Sequence, residues 1–546
     1  MGEDSTVTSR RAVVGIAGAA GLIAGITLLA RAAGLGRVLV FAESVRANGV
    51  GEIYQSVNAL PNVLVEVAAG GVLSAIAVPL IAGHMGRGDR AAADRLASVL
   101  LTWVLAVLVP VALLLALLAE PAARWLVSDF DPRAHTVAVT MLRVFTVQVP
   151  LYGLGIVLTG LLHAHRRFAA AALAPLLSSI VVMASYLWYG GLVEGQTAPS
   201  AVTDHAIAVL AWGTTAGVAI LSIPLLIPAM ATGWRWRPAW RLSAAEGRQI
   251  GRLAVAGTLV VGGQQVATLV VLWLANHAGD RGVLPVWQYA QTVYLLPYAV
   301  LAVPIAMSTF PALALAAGAQ EADVDRTLAR SLSAVLMVAG LGAGVLMATA
   351  RPVGAFFTVL DARRGSAGAS AHALAALPGT LWALGPGLVG FCAIALLLRA
   401  AYVKGSALAS AAAVTAGWLI AASPVLLIGT DAGAEPTLRS LAQANSVGMI
   451  LAACGLAVLT RRAWGPRATA GAGAVVASVC VGVGVALAVG DSVGRGFPLN
   501  TITNTLLSGA LSAVAGAAAY VLVMWFTQRD LTTQLIRRGR ERRGQA

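Results

Sequence analysis

The second long apolar stretch of the sequence carries a row of polar side chains that could face water or a polar ligand. The row consists of Gln55, Asn58, Asn62 and Glu66, within QSVNALPNVLVEVAAGG. Because spacings of three, four and four residues place side chains on one face of a helix, the four form a single polar stripe. A stripe that faced lipid would be costly, so it is predicted to line a protein interior or a wet cavity. The pattern is typical of a multi-spanning protein with a polar path through its middle.

Two arginines precede the stripe, at the end of the first apolar stretch and just after it. They are Arg31 and Arg37. Arginine stays charged and offers a planar fork of donors, so guanidinium groups that turn inward would suit a phosphate or diphosphate. The alternative interpretation is that Arg31 extends its side chain to the lipid headgroups.

Glu66 is the one acid predicted near the middle of this span. A lone acid at the bilayer centre costs about 2.5–3.5 kcal/mol on insertion scales. Two hypotheses account for it: an ion pair with Arg31, or a site that couples transport to a proton or cation.

Composition places the chain among integral α-helical membrane proteins. Of 546 residues, 58% are hydrophobic and 11% are charged, and the mean hydropathy is +0.82. Soluble domains carry about 25% charged residues. The net charge of +14 does not indicate nucleic-acid binding, because the basic residues sit in short loops without interleaved aromatic residues. The sequence contains no Walker A, HExxH or paired metal-ligand motif, so no cofactor or metal is predicted.

Apolar runs long enough to cross a bilayer recur about 14 times. The first is taken as an uncleaved helix, and the three cysteines inside later runs are predicted to be buried free thiols. The expected spans are 13–34, 57–82, 97–119, 135–160, 169–190, 206–230, 250–276, 284–317, 331–350, 376–399, 402–428, 440–460, 471–490 and 504–527.

Loop charges predict the orientation. The loops on one side, together with both ends of the chain, hold 25 of the 37 basic residues. The positive-inside rule therefore predicts that both termini lie in the cytoplasm. A weak similarity between 60–79 and 296–311, each beginning Leu-Pro and reaching another proline, hints at two related halves with a substrate path between them.

Residues 30–83 and 287–314 resemble two segments of the MurJ/MviN family of the MOP exporter superfamily. The first reads ARAAGLGRVLVFAESVRANGVGEIYQSVNALPNVLVEVAAGGVLSAIAVPLIAG, and the second WQYAQTVYLLPYAVLAVPIAMSTFPALA. The resemblance implies two pseudo-symmetric six-helix lobes plus two C-terminal helices. The expected division is 1–230 for the N-terminal lobe, 231–465 for the C-terminal lobe and 466–546 for spans 13 and 14 with a basic tail.

The resemblance also implies roles for particular residues. Arg31 and Arg37 match the basic residues of the family's first span, Glu52 the acid that follows, and Asn62 the LPN turn. The candidate substrate-binding residues are Arg31, Arg37, Asn58, Asn62, Gln291 and Thr292, and the candidate coupling or charge-pair residues are Glu52 and Glu66. The chain departs from the family pattern in both segments: Val65 replaces an arginine and Gly70 a glutamate in the second span, and Gln291 and Thr292 replace Asp-Arg in the eighth.

By resemblance, the expected function is that of a flippase, a transporter and not an enzyme. It would move an undecaprenyl-diphosphate-linked precursor such as lipid II from the inner to the outer leaflet by alternating access. Two other functions are weighed: a MATE-like exporter of drugs or cations, and a membrane scaffold in cell-wall assembly. The expected partners are the lipid-linked oligosaccharide and membrane lipids, with cell-wall synthesis proteins possible and no nucleic acid. A bacterial cell membrane is the expected location.

Overall fold

The structure is a computed structural model that describes most of the chain. Described residues are 25–26, 29–67, 81, 83–85, 88–128, 130–241, 244–302, 324–362, 370–403, 407–430 and 432–529. All regular secondary structure within these ranges is helical. The chain divides into two compact units, unit 1 (Met1–Thr258) and unit 2 (Leu259–Ala546). The three-part division predicted above stays a prediction.

Unit 1 contains nine helices with described limits, besides the helical residues 25–26, 81 and 83–85, and a tenth helix begins in it. They are α1 at 29–44, α2 (Val50–Val65), α3 (Arg90–Leu117), α4 (Ala119–Leu126), α5 (Ala134–Phe145), α6 (Gln148–Ala164), α7 (Phe168–Val193), α8 (Asp204–Ser222), α9 (Leu226–Met230) and α10 (Ala244–Asn276), which continues into unit 2. A 3-10 turn, Ile223–Leu225, joins α8 to α9.

Unit 2 continues the helical pattern through the remaining described ranges. Its helices are α11 (Val283–Pro297), α12 (Val324–Ala348), α13 (Ala350–Ala362), α14 (Ala371–Val403), α15 (Ala407–Ala421), α16 (Pro424–Leu427), α17 (Ala434–Trp464), α18 (Ala472–Arg495) and α19 (Ile502–Thr527). A π-helical turn, Tyr298–Ala302, follows α11 directly after Pro297.

The helices confirm an all-α membrane protein. Within the described ranges, eleven helices are long and apolar enough to cross a bilayer, and each matches one expected span. The other expected spans, 13–34, 57–82 and 284–317, fall partly on residues outside the described ranges, so the total of 14 stays a prediction. The expected limits of the first two spans were wrong. α1 continues to residue 44 and α2 already begins at Val50, because a helix can extend beyond the apolar run by which a span is recognised.

A buried cluster of rings and hydroxyl groups holds α2 in unit 1. The Tyr54 hydroxyl lies 2.8 Å from the Tyr186 hydroxyl on α7 and 3.0 Å from Thr214 Oγ1 on α8. Thr214 donates to a carbonyl of its own helix, so the chain of hydroxyl groups has a fixed end. Phe41 and Phe145 pack their rings against Tyr54 at 5.6 and 5.7 Å between centroids. Five helices therefore meet at one residue of α2.

The turn between α1 and α2 is tied to the segment that follows α7. Arg46 is 2% exposed, has a φ of 75°, and donates from Nη1 to the Gly195 carbonyl at 3.2 Å. The Val50 N–H donates to the Thr197 carbonyl at 2.9 Å. Gly49 has a φ of 56° and lies against that carbonyl. This end of α2 is therefore fixed by backbone contacts as well as by Tyr54.

A second set of side-chain contacts joins the segment before α5 to the segment before α8. Asp131 Oδ2 accepts from Ser200 Oγ at 2.7 Å, and the Arg133 guanidinium donates to the Val202 carbonyl at 3.1 Å and pairs with Asp204. The small desolvation of the Asp131 carboxyl raises its pKa, but the hydrogen bonds from Ser200 and from backbone N–H groups outweigh it, so the pKa of Asp131 is lowered.

The segment 231–241 runs along α3 and carries alternating tryptophans and arginines. Trp234 Nε1 donates to Ser98 Oγ at 3.2 Å, and Trp236 Nε1 donates to Thr102 Oγ1 at 3.3 Å. Its exposed side chains are Arg235, Trp236, Arg237, Trp240 and Arg241. Tryptophan and arginine at the end of a span are typical of the membrane–water interface.

In unit 2, long helices approach closely through small residues. Ser446 on α17 accepts from the Gly387 N–H at 3.1 Å and donates to the Ala383 carbonyl at 2.6 Å, both on α14. The Tyr520 hydroxyl of α19 donates to the Met337 carbonyl of α12 at 2.7 Å. The last two helices therefore pack against α12 within the same unit.

The expectation that all three cysteines are buried was wrong. Cys392 is buried, but Cys454 and Cys480 are exposed. They lie on faces of α17 and α18 that no described helix covers, and a thiol is apolar enough for such a face to contact lipid.

We expect Tyr54→Phe to destabilise the protein by about 1–3 kcal/mol, because hydroxyl partners in the cluster lose a bond while they stay buried. Tyr289→Phe is the matched control, since the buried Tyr289 hydroxyl has no hydrogen-bond partner among the described residues; its removal should be neutral or stabilising. Thermal unfolding of both variants in detergent gives the comparison. Equal melting temperatures for the two variants would contradict the importance of the cluster.

We expect Gly49→Ala to cost about 1–3 kcal/mol more than Gly88→Ala, because only at Gly49 would the new methyl group overlap a backbone carbonyl. Both glycines have positive φ, and Gly88 faces open space, so the conformational penalty is common to both. The melting temperatures of the two variants measure the difference. If Gly88→Ala were as unstable as Gly49→Ala, the loss of stability would come from the positive φ alone and the prediction would be wrong.

Candidate functional site

The polar stripe lies on the less buried face of α2, beside the face that carries Tyr54. Asn62 and Glu66 are exposed, and Gln55 and Asn58 are half-buried. The rest of the helix surface is mostly buried and includes Tyr54. Because Tyr54 and the turn before α2 fix the rotation of this helix, the stripe is turned away from the packed interior of unit 1.

Within the stripe, the asparagines leave hydrogen-bonding capacity unused. Asn62 Nδ2 donates to the Asn58 carbonyl at 2.9 Å, one turn back along the helix. Asn58 Oδ1 is enclosed and accepts no hydrogen bond from any described residue. An enclosed acceptor without a donor costs free energy, so a donor from a ligand or water would be favoured there.

Arg31 and Arg37 are both exposed on α1. Arg37 lies close enough to Tyr54 and Tyr152 for its charge to act on both phenol groups. The two arginines are six residues apart, which is about 9 Å along a helix and off the same face. The two guanidinium groups therefore lie at different heights along α1 and do not form one combined binding group.

Glu52 differs from the other stripe candidates because it is buried. It is one turn before Gln55 and only 6% exposed, in the first turn of α2. Its position is next to the fixed turn that contains Arg46, so the structure places Glu52 at the anchored end of the helix and not on the open part of the stripe.

Glu66 forms no ion pair with Arg31 or with any other described residue. A Glu66–Arg31 pair is therefore not formed in this structure, where both side chains are exposed, and the role of Glu66 stays a prediction. Val65, where the family resemblance places an arginine, is 4% exposed and belongs to the apolar core with Leu101 and Leu158. A valine suits that environment, whereas a cation there would be buried without a partner.

Gln291 and Thr292 belong to unit 2, on α11, and both are half-buried. Thr292 Oγ1 donates to the Gln288 carbonyl of its own helix at 2.8 Å, so its hydrogen is not available to a ligand. The candidate residues are thus distributed over both units, with Arg31, Arg37, Asn58 and Asn62 in unit 1. Gly70 lies outside the described residues.

Sequence reasoning missed the residues that orient the stripe. Tyr54, Tyr186 and Thr214 come from three separate apolar runs, and a hydroxyl inside such a run gives no local sign of its partner. Arg46, in the turn after α1, is also one of the most buried large side chains, and its neighbours in the sequence give no sign of this.

A profile of the family described as "Lipid II flippase MurJ" matches residues 41–494, which is most of the sequence and includes α2 with its stripe. This chain belongs to the lipid II flippase MurJ family.

Curated relatives of the MurJ family agree with that match. The lipid II flippase MurJ of Burkholderia cenocepacia is 26% identical over 399 residues, covering 70% of this chain and 72% of the relative. The probable lipid II flippase MurJ of Rhizobium meliloti is also 26% identical, over 61% of each chain.

Solved structures share the fold. A MurJ lipid II flippase in an inward closed conformation superposes with a TM-score of 0.69 at 16% identity, covering 93% of this chain and 99% of the other. A multidrug resistance MATE family transporter of the MOP superfamily gives a TM-score of 0.59 at 16% identity, covering 82% and 96%. The MurJ-type fold is therefore shared more widely within the superfamily.

We expect Asn62→Cys, in a variant whose three native cysteines are replaced by alanine, to react in intact membranes with a charged, water-soluble maleimide. The stripe must contact water if it lines a polar path. Val107→Cys on α3 is the control, because Val107 is 50% exposed in a long apolar span and should face lipid. Equal protection of both thiols would place the stripe against lipid and contradict the prediction.

Proposed function

We propose that this protein is a flippase that carries an undecaprenyl-diphosphate-linked cell-wall precursor of the lipid II type from the inner to the outer leaflet. Family membership supports the substrate class. The observation that carries the proposal is the presence of two features on consecutive helices: a row of uncharged amides on the less buried face of α2, and two exposed arginines on α1.

The side chains match the chemistry of such a substrate. A diphosphate needs cations and hydrogen-bond donors, which Arg31, Arg37 and the Asn62 amide supply. The sugars need neutral donors and acceptors, which Gln55 and Asn58 can supply. The polyprenyl tail stays in the bilayer, where no special residue is needed. Because Val65 stands where the family has an arginine, Arg31 and Arg37 must supply more of the positive charge that binds the diphosphate.

We propose alternating access as the mechanism, with the headgroup sheltered in turn from each side of the membrane. Charges that move in the membrane field couple to the potential by about 2.3 kcal/mol per charge per 100 mV. An exposed arginine pair on α1 provides such charges. In this proposal both termini lie in the cytoplasm, the chain acts as a transporter without catalysis, and cell-wall synthesis proteins receive the product.

A second candidate function, cation or drug export, is favoured only by Glu66 and by the MATE-like fold. Glu66 is exposed on α2 without an ion-pair partner in the described ranges, as a coupling acid would be. The remaining alternative, a membrane scaffold, requires none of these side chains to be intact.

We expect Arg31→Ala and Arg37→Ala each to lower transport of labelled lipid-linked precursor by about tenfold or more, since each removes a charge-assisted contact to phosphate worth about 1.5–3 kcal/mol. Precursor should then accumulate in the inner leaflet of cells depleted of their own flippase. Arg124→Ala is the matched control, because Arg124 is exposed and pairs only with Glu120 on its own helix.

Glu66→Gln separates the alternatives in the same strains. The flippase proposal predicts that precursor transport persists, whereas export driven by Glu66 predicts loss of drug resistance with precursor levels unchanged. Full complementation by every variant would contradict the flippase proposal and support a scaffold.

A further inference from the structure

A cavity of about 1030 Å³ opens at one end of unit 2 and contains none of the candidate residues discussed above. Residues of α13, α14 and α17 form most of its lining, together with Asp280, Gly433 and Leu499. The residues that matter most are Arg351 and Thr358 on α13, Gly379 on α14, and Glu435 and Arg439 on α17. A volume of this size holds a small organic ligand rather than a simple ion.

The cavity exists because α14 presents small side chains to it. Ala375, Ala376, Gly379 and Ala383 lie along this face. A Cβ built on Gly379 would meet no atom within 4 Å, so the space in front of it is open. The cavity therefore depends on small residues on this face of α14, and a single larger side chain at Gly379 would fill part of it.

Two charged side chains around the cavity, Asp280 and Arg351, already have partners within the protein. Asp280 Oδ2 accepts from the Ala434 N–H at 2.7 Å, which caps α17, and Asp280 Oδ1 lies 3.3 Å from His372 Nδ1. Arg351 Nε is 2.8 Å from Asp491 Oδ1, and its guanidinium carbon lies 5.5 Å from the Trp382 ring centroid. These contacts hold the walls in position.

Arg439 and Glu435, by contrast with Asp280 and Arg351, have no partner among the described residues. Both are exposed at the cavity, one helical turn apart, and neither forms a hydrogen bond or ion pair with a described residue, including each other. Gln443 adds an exposed amide one turn further along α17. A wall that offers a cation, an anion and an amide in one row matches a ligand with both signs of charge.

We propose that this cavity binds a short zwitterionic peptide, with a carboxylate on Arg439 and an ammonium group on Glu435. The mixed charge favours a peptide over a phosphate or diphosphate, which the neighbouring carboxylate of Glu435 would repel. On the predicted orientation, the cavity opens to the outside. Only the source of the peptide rests on the proposed function: it would be the peptide that a peptidoglycan precursor carries, held as the headgroup arrives.

The test is calorimetric titration of the purified full-length protein in detergent with the peptidoglycan stem pentapeptide, free of sugar, diphosphate and lipid. We expect saturable binding that Arg439→Gln weakens about tenfold or more. Gly379→Leu should abolish it by filling the cavity. Arg462→Gln, at the other end of α17, and Gly484→Leu, at an open position on α18, are the matched controls and should bind as the unchanged protein does.

Two ligand controls use the unchanged protein and so do not depend on how a variant folds. The same peptide with its amines acetylated and carboxylates amidated should not bind, and inorganic diphosphate should not compete. Binding of the capped peptide, competition by diphosphate, or absence of pentapeptide binding would each overturn the proposal. Pentapeptide binding by a protein that does not transport the precursor would support this site and contradict the proposed function, and the reverse result would do the opposite.

Discussion

The candidate site depends on the hydrogen bonds of the buried Tyr54 hydroxyl. A phenol buried between helices must be hydrogen-bonded, and its partners here come from α7 and α8. That requirement fixes the rotation of α2 about its own axis. Since side chains around a helix keep fixed angles, fixing Tyr54 inward also fixes the directions of Gln55, Asn58, Asn62 and Glu66.

The two ends of α2 show how rigidity and exposure are combined. At its start, the turn that contains Arg46 and Gly49 is bonded to the backbone after α7, and Glu52 is enclosed there. Further along, the stripe becomes increasingly exposed toward Asn62 and Glu66. A substrate site needs side chains held in position on a firm support, and this helix is anchored on one face and open on the other.

Much of the architecture was predictable because membrane spans are encoded locally. Runs of about 20 apolar residues must be helices, since no water satisfies their backbone in lipid, and eleven such helices are found among the described residues. The stripe was equally visible, because its spacing is a property of one segment. Helix limits were less predictable, since α1 continues to residue 44, ten residues beyond the expected end of the first span.

What the sequence could not reveal depends on contacts between distant residues. Tyr54 and Thr214 are 160 positions apart, and Arg46 and Gly195 are 149 apart, so neither pairing leaves a local pattern. The cavity of unit 2 combines residues of three helices whose individual sequences carry no sign of it. The role of Val65 was also hidden, because a substitution for a family arginine can be judged only when its surroundings are known to be apolar.

The most direct measurement is an experimental structure of the protein in a lipid nanodisc with the undecaprenyl-diphosphate-linked precursor bound. Our account predicts the diphosphate within hydrogen-bond distance of Arg37 and Asn62, with Tyr54 still bonded to Tyr186. Acyl chains packed along Asn58, Asn62 and Glu66, with the headgroup bound elsewhere, would contradict it.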